Sequence, residues 1–184
     1  MRTFIAIELP SDTKEKIEEA ISPFRKLNLS VSWVKSKNLH LTLKFLGEVD
    51  EKKVDDIVLA LEQAVKGKEK FEMDLKDFGT FPNLKRPRVI WIGIEKGKES
   101  LIVIQNEIEK ELSKLGFPQE EKGFSPHLTI GRVKSAEGIE RLTEQIKNVN
   151  FVVEDIEVGE VVLMRSQLHP QGAAYTPIRK FKLK

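Results

Sequence analysis

The order of apolar and polar positions along the chain predicts alternating strands and helices. Runs of alternating or continuous apolar residues, which are typical of strands, occur at residues 3–9, 31–34, 39–46, 71–78, 88–94, 127–133, 151–158, 161–165 and 175–183. Apolar residues that recur every three or four positions predict helices from about Asp12, from about Asp50, at 101–115 and at 139–146. Turn-forming residues predict loops at 79–87 and around Pro170 and Gly172.

This element order favours an α+β fold. It contains too few strand–helix–strand repeats for a doubly wound parallel sheet, and it shows neither a glycine-rich phosphate loop nor a low-complexity linker. The second half of the chain repeats the alternation of the first. We therefore expect residues 1–184 to form a single domain of two similar lobes, with sheets of antiparallel type and outer helices.

Composition narrows the class of protein. Hydrophobic residues make up 40% of the chain and charged residues 33%, which is typical of a globular protein. No apolar run reaches 18 residues and no leader-like segment is present, so we expect no membrane span and no secretion. The absence of cysteine excludes disulfides, thiol nucleophiles and thiolate metal sites, and favours a cytoplasmic protein.

The net charge of +2 conceals an uneven distribution of acids. Four windows contain Lys and Arg but no Asp or Glu: residues 20–47, 78–94, 122–136 and 161–184. One interpretation is that strands carry few acids in any protein. The other is a cationic face suited to a ligand that bears phosphate.

Two of the three histidines begin nearly the same tetrapeptide. His40 begins His-Leu-Thr-Leu and His127 begins His-Leu-Thr-Ile, and both lie inside acid-free windows. Because alternate residues of a strand share a face, His40 lies beside Thr42 and His127 beside Thr129. If the two strands meet in a cleft, one imidazole can accept a proton and the other donate one, while the hydroxyls bind the oxygens of an anion. The pattern predicts phosphoryl transfer without a metal.

Other interpretations of the histidines are weaker. A half-buried histidine is often structural, but duplication of the whole motif argues against that role here. A zinc site usually needs three or more protein ligands, and His169 is the only spare histidine. No nucleophile-elbow sequence supports a Ser-His-Asp triad.

Five segments give the chain a close resemblance to one family. They are MRTFIAIELP at 1–10, WVKSKNLHLTLKFLGEV at 33–49, FPNLKRPRVIWIG at 81–93, SPHLTIGRV at 125–133 and LMRSQLHPQGAAY at 163–175. The chain resembles the RNA 2′,3′-cyclic phosphodiesterases, also called 2′-5′ RNA ligases, of the two-histidine phosphoesterase superfamily. The resemblance spans nearly the whole chain in the family's order, with both motifs intact.

The resemblance implies a fold, a reaction and roles for residues. The fold has two pseudo-symmetric lobes, with the histidines facing each other across a central cleft. The reaction opens an RNA-terminal 2′,3′-cyclic phosphate to a 2′-phosphate without metal or other cofactor, and it can run in reverse to join 2′-5′ ends. His40 would be the proton donor and His127 the proton acceptor. The substrate-binding candidates are Thr42, Thr129, Arg132, Arg165, Ser166 and Tyr175.

Several alternatives stay open at this point. Arg132 is either a phosphate ligand or a surface arginine at a strand end, and Trp33 and Phe81 either stack on bases or belong to the core. The substrate is either the end of an RNA, such as a tRNA fragment, or a small cyclic nucleotide. A non-catalytic RNA-binding module would keep the basic windows without turnover. We expect a monomer with no membrane partner.

Overall fold

A computed structural model describes all 184 residues of the protein. The strands are β1 (Arg2–Glu8), β2 (Val31–Trp33), β3 (His40–Glu48), β4 (Phe71–Phe81), β5 (Val89–Ile94), β6 (His127–Val133), β7 (Val152–Val158), β8 (Glu160–His169) and β9 (Gly172–Lys182). The helices are α1 (Ser11–Arg25), α2 (Val54–Val65), α3 (Lys98–Ser113) and α4 (Ile139–Asn148). Every predicted strand and helix is present, so the predicted order of elements is confirmed.

The strands form two antiparallel sheets, and the α+β prediction is confirmed. One sheet has the order β3-β1-β8-β9 and the other has the order β2-β6-β5-β4-β7. Each sheet contains one of the two strands that carry a His-x-Thr motif, β3 in the first and β6 in the second, and these two strands lie against each other where the lobes meet. None of the helices is long and apolar enough to cross a membrane.

The two lobes share one hydrophobic core of 36 buried residues. Ile5 and Leu41 enter it from the four-stranded sheet, Ile92 and Leu128 from the five-stranded sheet, and Ile108 from α3. Full burial of each such side chain stabilises the fold by roughly 1.5–3 kcal/mol. The leucines inside the two motifs therefore hold the histidine strands in place.

A smaller cluster lies on the opposite face of the four-stranded sheet. It contains Phe4, Ala6, Val162 and Met164, with Tyr175 packed against it. Phe4 also contacts the ring of His40, at a centroid distance of 4.8 Å. This apolar patch therefore packs against one side of the His40 imidazole.

The two predicted loops, at 79–87 and around Pro170 and Gly172, are shorter in the structure than the sequence predicts. Strand β4 continues to Phe81 because Gly79 passes beneath Trp91, and a Cβ atom at residue 79 would lie 2.2 Å from the indole ring. Strands β8 and β9 extend to His169 and Gly172, which leaves only Pro170 and Gln171 in the turn. The sequence predicts loop positions for Gly79 and Gly172, but both belong to strands.

Candidate active site

His40 and His127 begin their strands and face one cleft of about 760 Å³. The seven residues from each histidine onward show the same order of exposure: the histidine and threonine are half-buried, and the leucine between them is buried. Thr42 and Thr129 line the same cleft. The structure therefore brings the four motif side chains together.

A backbone carbonyl two residues upstream orients each imidazole. The Nδ1 atom of His40 lies 2.5 Å from the carbonyl oxygen of Asn38, and that of His127 lies 2.7 Å from the carbonyl oxygen of Ser125. Because a carbonyl oxygen can only accept, the proton must be on Nδ1 in both rings. The Nε2 atom is then left for chemistry, as an acceptor in the neutral ring and as a donor in the imidazolium.

Aromatic rings surround the two imidazoles unequally. His40 packs against both Phe4 and Tyr175, and the ring of Tyr175 meets it edge-on at 5.0 Å. His127 meets the ring of Phe81 edge-on at 4.9 Å. Burial lowers the pKa of His40 from its usual value of 6.5, and the hydrogen bond to Asn38 opposes this shift. The neutral form of His40 is therefore favoured before substrate binds.

A β-bulge follows the threonine in both motif strands. The extra residue is Leu43 in β3 and Ile130 in β6. Simple alternation would point the fifth residue after each histidine away from the cleft, but the bulge reverses the order. As a result Phe45 and Arg132 occupy matching positions, and both line the cleft.

The lining of the cleft is positively charged. Arg2, Lys122 and Arg132 line it and form no ion pair within the protein, whereas Glu120 is the one carboxylate. Arg132 comes from β6 itself, so its position relative to His127 and Thr129 is fixed by the strand. This arrangement suits a phosphate ligand.

Lys44, which directly follows the bulge in β3, is 5% exposed. Its ammonium lies 2.9 Å from both carboxylate oxygens of Glu109 on α3 and 2.9 Å from the carbonyl oxygen of Pro118. Gln105 donates a further hydrogen bond to Glu109. The cluster links the first histidine strand to the segment that leads into the second, and the motif pattern gave no signal of it.

The remaining predicted binding residues divide between the cleft and its surroundings. Tyr175 lines the cleft, and Ser166 lies in an adjoining pocket of about 190 Å³ together with Phe45. Arg165 is exposed on the other face of β8 and lines neither space. Because successive residues of a strand point to opposite faces, Arg165 and Ser166 lie on opposite faces of β8.

Of the two aromatic residues considered for base stacking, one lines the cleft and the other packs beside the core. Phe81 lines the cleft, whereas Trp33 packs on Phe24, with ring centroids 6.4 Å apart, beside the hydrophobic core. Phe45 was not predicted, because it looks like one more apolar residue of a strand. It is 61% exposed, the largest apolar side chain left open to solvent beside the cleft.

No three His, Cys, Asp or Glu side chains converge in an arrangement that could hold a metal ion. His169, the third histidine, ends β8 and does not line the cleft. The chemical groups that line the cleft include imidazoles, hydroxyls, cations, aromatic rings and the carboxylate of Glu120.

Comparison with known proteins places this cleft in a family. The model of the 2′-5′ RNA ligase superfamily matches residues 13–170. The chain belongs to this superfamily. The resemblance inferred from the five sequence segments is confirmed.

The relatives match nearly the whole chain. The RNA 2′,3′-cyclic phosphodiesterase of Thermotoga maritima is 39% identical over 175 residues, which cover 95% of this chain and 91% of the relative. The enzyme of the same name from Methanocaldococcus jannaschii is 39% identical and covers 98% and 100%. The crystal structure of E. coli LigT complexed with 3′-AMP superimposes with a TM-score of 0.76 at 28% identity, covering 100% and 98% of the two chains.

Proposed function

We propose that the chain hydrolyses an RNA-terminal 2′,3′-cyclic phosphate to a 2′-phosphomonoester. The relatives named RNA 2′,3′-cyclic phosphodiesterase support the substrate class. The observation that carries the proposal is the pair of imidazoles, each with Nδ1 bound to a backbone carbonyl and each facing one cleft beside a threonine. Opening a cyclic phosphodiester with water requires a base for the nucleophile and an acid for the leaving oxygen.

In the proposed reaction each proton has a defined destination. Nε2 of His127 accepts a proton from water, and the water oxygen attacks phosphorus. The bond between phosphorus and O3′ breaks, and O3′ takes the proton held on Nε2 of His40. The products are a 2′-phosphate and a 3′-hydroxyl, and a proton then passes between the two rings through solvent.

The burial of His40 bears on this assignment. Its lowered pKa favours a neutral ring in the free enzyme, whereas a proton donor must be charged. The negative charge of a bound phosphate raises the pKa of a neighbouring imidazole. The proposal therefore includes protonation of His40 on substrate binding, and the direction of the roles rests on resemblance to the family.

The remaining groups of the cleft bind the substrate in this proposal. The hydroxyls of Thr42 and Thr129 and the guanidinium of Arg132 hold the phosphate oxygens as charge develops on them. Tyr175 and Ser166 contact the terminal nucleotide. Arg165 does not line the cleft, so its predicted contact with substrate requires the RNA to extend beyond the cleft.

The proposal extends to the partners and the working unit. Residues 1–184 act as a single two-lobed domain and as a monomer, on RNA ends such as those of tRNA fragments in the cytoplasm. If the 5′-hydroxyl of a second RNA takes the place of water, His127 accepts its proton, its oxygen bonds to phosphorus, and the bond between phosphorus and O3′ breaks with a proton from His40. The same acid and base therefore also let the cleft join 2′-5′ ends.

An assay of a defined RNA that ends in a 2′,3′-cyclic phosphate tests the proposal. We expect turnover to a 2′-phosphate product in the presence of EDTA, identified by chromatography against 2′- and 3′-phosphate standards. Loss of activity on chelation, with recovery on addition of a divalent ion, would overturn the metal-free mechanism. A 3′-phosphate product would overturn the assigned bond cleavage.

A further inference from the structure

A second basic depression lies beside the cleft, at the turn between β8 and β9. It encloses about 330 Å³ and is lined by Lys35, Lys37, His169, the turn residues 170–171 and the first residues of β9, 172–174. We call it the hairpin basin. No carboxylate lines it, and neither Lys35 nor Lys37 forms an ion pair. Its positive charge is therefore available to a ligand.

Asn38 joins the hairpin basin to the cleft. Its side-chain amide donates a hydrogen bond of 2.8 Å to the carbonyl oxygen of Ala173, which lines the basin. Its own carbonyl oxygen is the group that orients His40, and its side chain also lines the cleft. The ammonium of Lys35 donates to the carbonyl oxygen of Gln171, which fixes the turn to the same segment. A ligand in the basin is thus next to the residue that positions His40.

The chemistry of the substrate indicates which part of the RNA lies near the hairpin basin. A 2′,3′-cyclic phosphate occupies the 3′ end of a strand, so the rest of the RNA must leave the cleft through the 5′ oxygen of the terminal nucleotide. Lysine ammonium groups bind backbone phosphates irrespective of base. We propose that the hairpin basin binds a backbone phosphate on the 5′ side of the reacting nucleotide.

This inference rests on the proposed function and narrows its substrate class. With the basin occupied, an RNA oligonucleotide gains contacts that a cyclic mononucleotide cannot make. The basin therefore acts on specificity, through kcat/KM for longer substrates, while the chemistry between the histidines is unchanged.

Another basic surface, far from the hairpin basin, provides the matched control. It has a similar volume of about 360 Å³ and is lined by Lys66, Lys68, Lys182 and Lys184, with Glu62 beside Arg179. It lies at the opposite end of β9 from Gly172, ten residues or about 33 Å along the strand. Loss of charge there changes the net charge of the protein without touching the proposed path of the RNA.

The experiment compares two variants on two substrates. The basin variant is Lys35→Gln/Lys37→Gln and the control is Lys182→Gln/Lys184→Gln. The substrates are a 2′,3′-cyclic mononucleotide and a single-stranded octanucleotide with the same terminal nucleotide. At low salt we expect kcat/KM on the octanucleotide to fall about tenfold in the basin variant. A plot of log kcat/KM against log salt concentration should become less steep, by about 0.7 for each phosphate contact that is lost. The cyclic mononucleotide and the control should stay near wild type.

Lys37→Gln alone should change the octanucleotide rate in the same direction, because it leaves the hydrogen bond from Lys35 to the turn intact. An equal fall on both substrates, or an equal fall in the control, would overturn the basin as a phosphate site. Failure of the wild-type protein to open either substrate would instead overturn the proposed function, and this inference with it.

Discussion

His40 contacts two aromatic rings, whereas His127 contacts one, although the two histidines begin nearly identical strands. The difference in surroundings lowers the pKa of His40 through burial. At the scale of single residues, two nearly identical motifs therefore have unequal surroundings, because Phe4 and Tyr175 both pack on the ring of His40.

Removal of either imidazole should slow the chemical step without unfolding the protein. We expect His40→Ala and His127→Ala each to lower kcat by about 10²–10⁴, the usual scale for a positioned acid or base. Thr42→Val and Thr129→Val should each cost less, about 10–10³, as single donors to a charged oxygen. Single-turnover kinetics on the cyclic-phosphate RNA, with circular dichroism as a check of fold, measure these effects. A near wild-type rate in either alanine variant would remove that histidine from the mechanism.

The lowered pKa of His40 makes a directional prediction for the pH profile. The profile of kcat/KM reports the free enzyme, in which an acid must be protonated. If His40 is the donor, kcat/KM falls as pH rises through a value below 6.5, and His40→Ala removes that limb. Tyr175→Ala reduces the burial of the ring and should move the limb upward. If activity instead persists above this value and falls on the acidic side, His40 is the acceptor.

An activated substrate separates the two roles without reference to pH. The leaving group of a nitrophenyl phosphodiester needs no protonation, so it should rescue the variant that lacks the acid. We expect a larger rescue of His40→Ala than of His127→Ala, measured as the ratio of kcat/KM on the nitrophenyl and RNA substrates. The opposite order would reverse the assignment.

At the scale of elements, the bulges explain why part of the site could be predicted from the sequence and part could not. Strand alternation is sufficient to place His40 beside Thr42, because both precede the bulge. Arg132 was a candidate through resemblance only, since alternation alone would turn it away from His127. Phe45 and Lys44 carry no signal in the sequence, because their directions depend on one extra residue in the strand.

The buried Lys44–Glu109 pair should couple the stability of β3 to that of α3. Removal of one member leaves an uncompensated buried charge, so we expect Lys44→Met to lower the free energy of unfolding by about 3–5 kcal/mol. Lys44→Met/Glu109→Met should recover part of this loss, which denaturant titration of the double-mutant cycle measures. As a control, Lys76→Met breaks a solvent-exposed pair with Glu95 and should leave the stability nearly unchanged. Additive effects at Lys44 and Glu109 would show that the pair is not coupled.

At the scale of the whole molecule, the cleft lies between two lobes whose rims come from distant parts of the chain. Phe81 on one side ends β4, and the segment after it contains Lys85, Arg86 and Arg88. Tyr175 on the other side belongs to β9. Their approach depends on sheet order, which local hydrophobic patterns do not specify, and this is why Tyr175 could be assigned to the site only by resemblance.

The basic segment after Phe81 should affect long substrates more than short ones. We expect Lys85→Glu/Arg86→Glu to weaken binding of an oligonucleotide and to reduce its salt dependence, because fewer phosphates are neutralised. The rate on a cyclic mononucleotide should stay the same. Fluorescence anisotropy at two salt concentrations measures the binding, and an unchanged curve in wild type between low and moderate salt would contradict an RNA substrate.

The carbonyl groups that orient the two imidazoles make the site robust to mutation in an unusual way. A catalytic triad depends on a carboxylate, which one codon change can remove, whereas a backbone carbonyl is present whatever side chain occupies the position. Residues 38 and 125 can therefore drift in identity while the Nδ1 proton stays in place, provided that the path of the backbone is kept. A substitution at residue 38 or 125 therefore changes the tautomer of the imidazole only if it moves the backbone carbonyl.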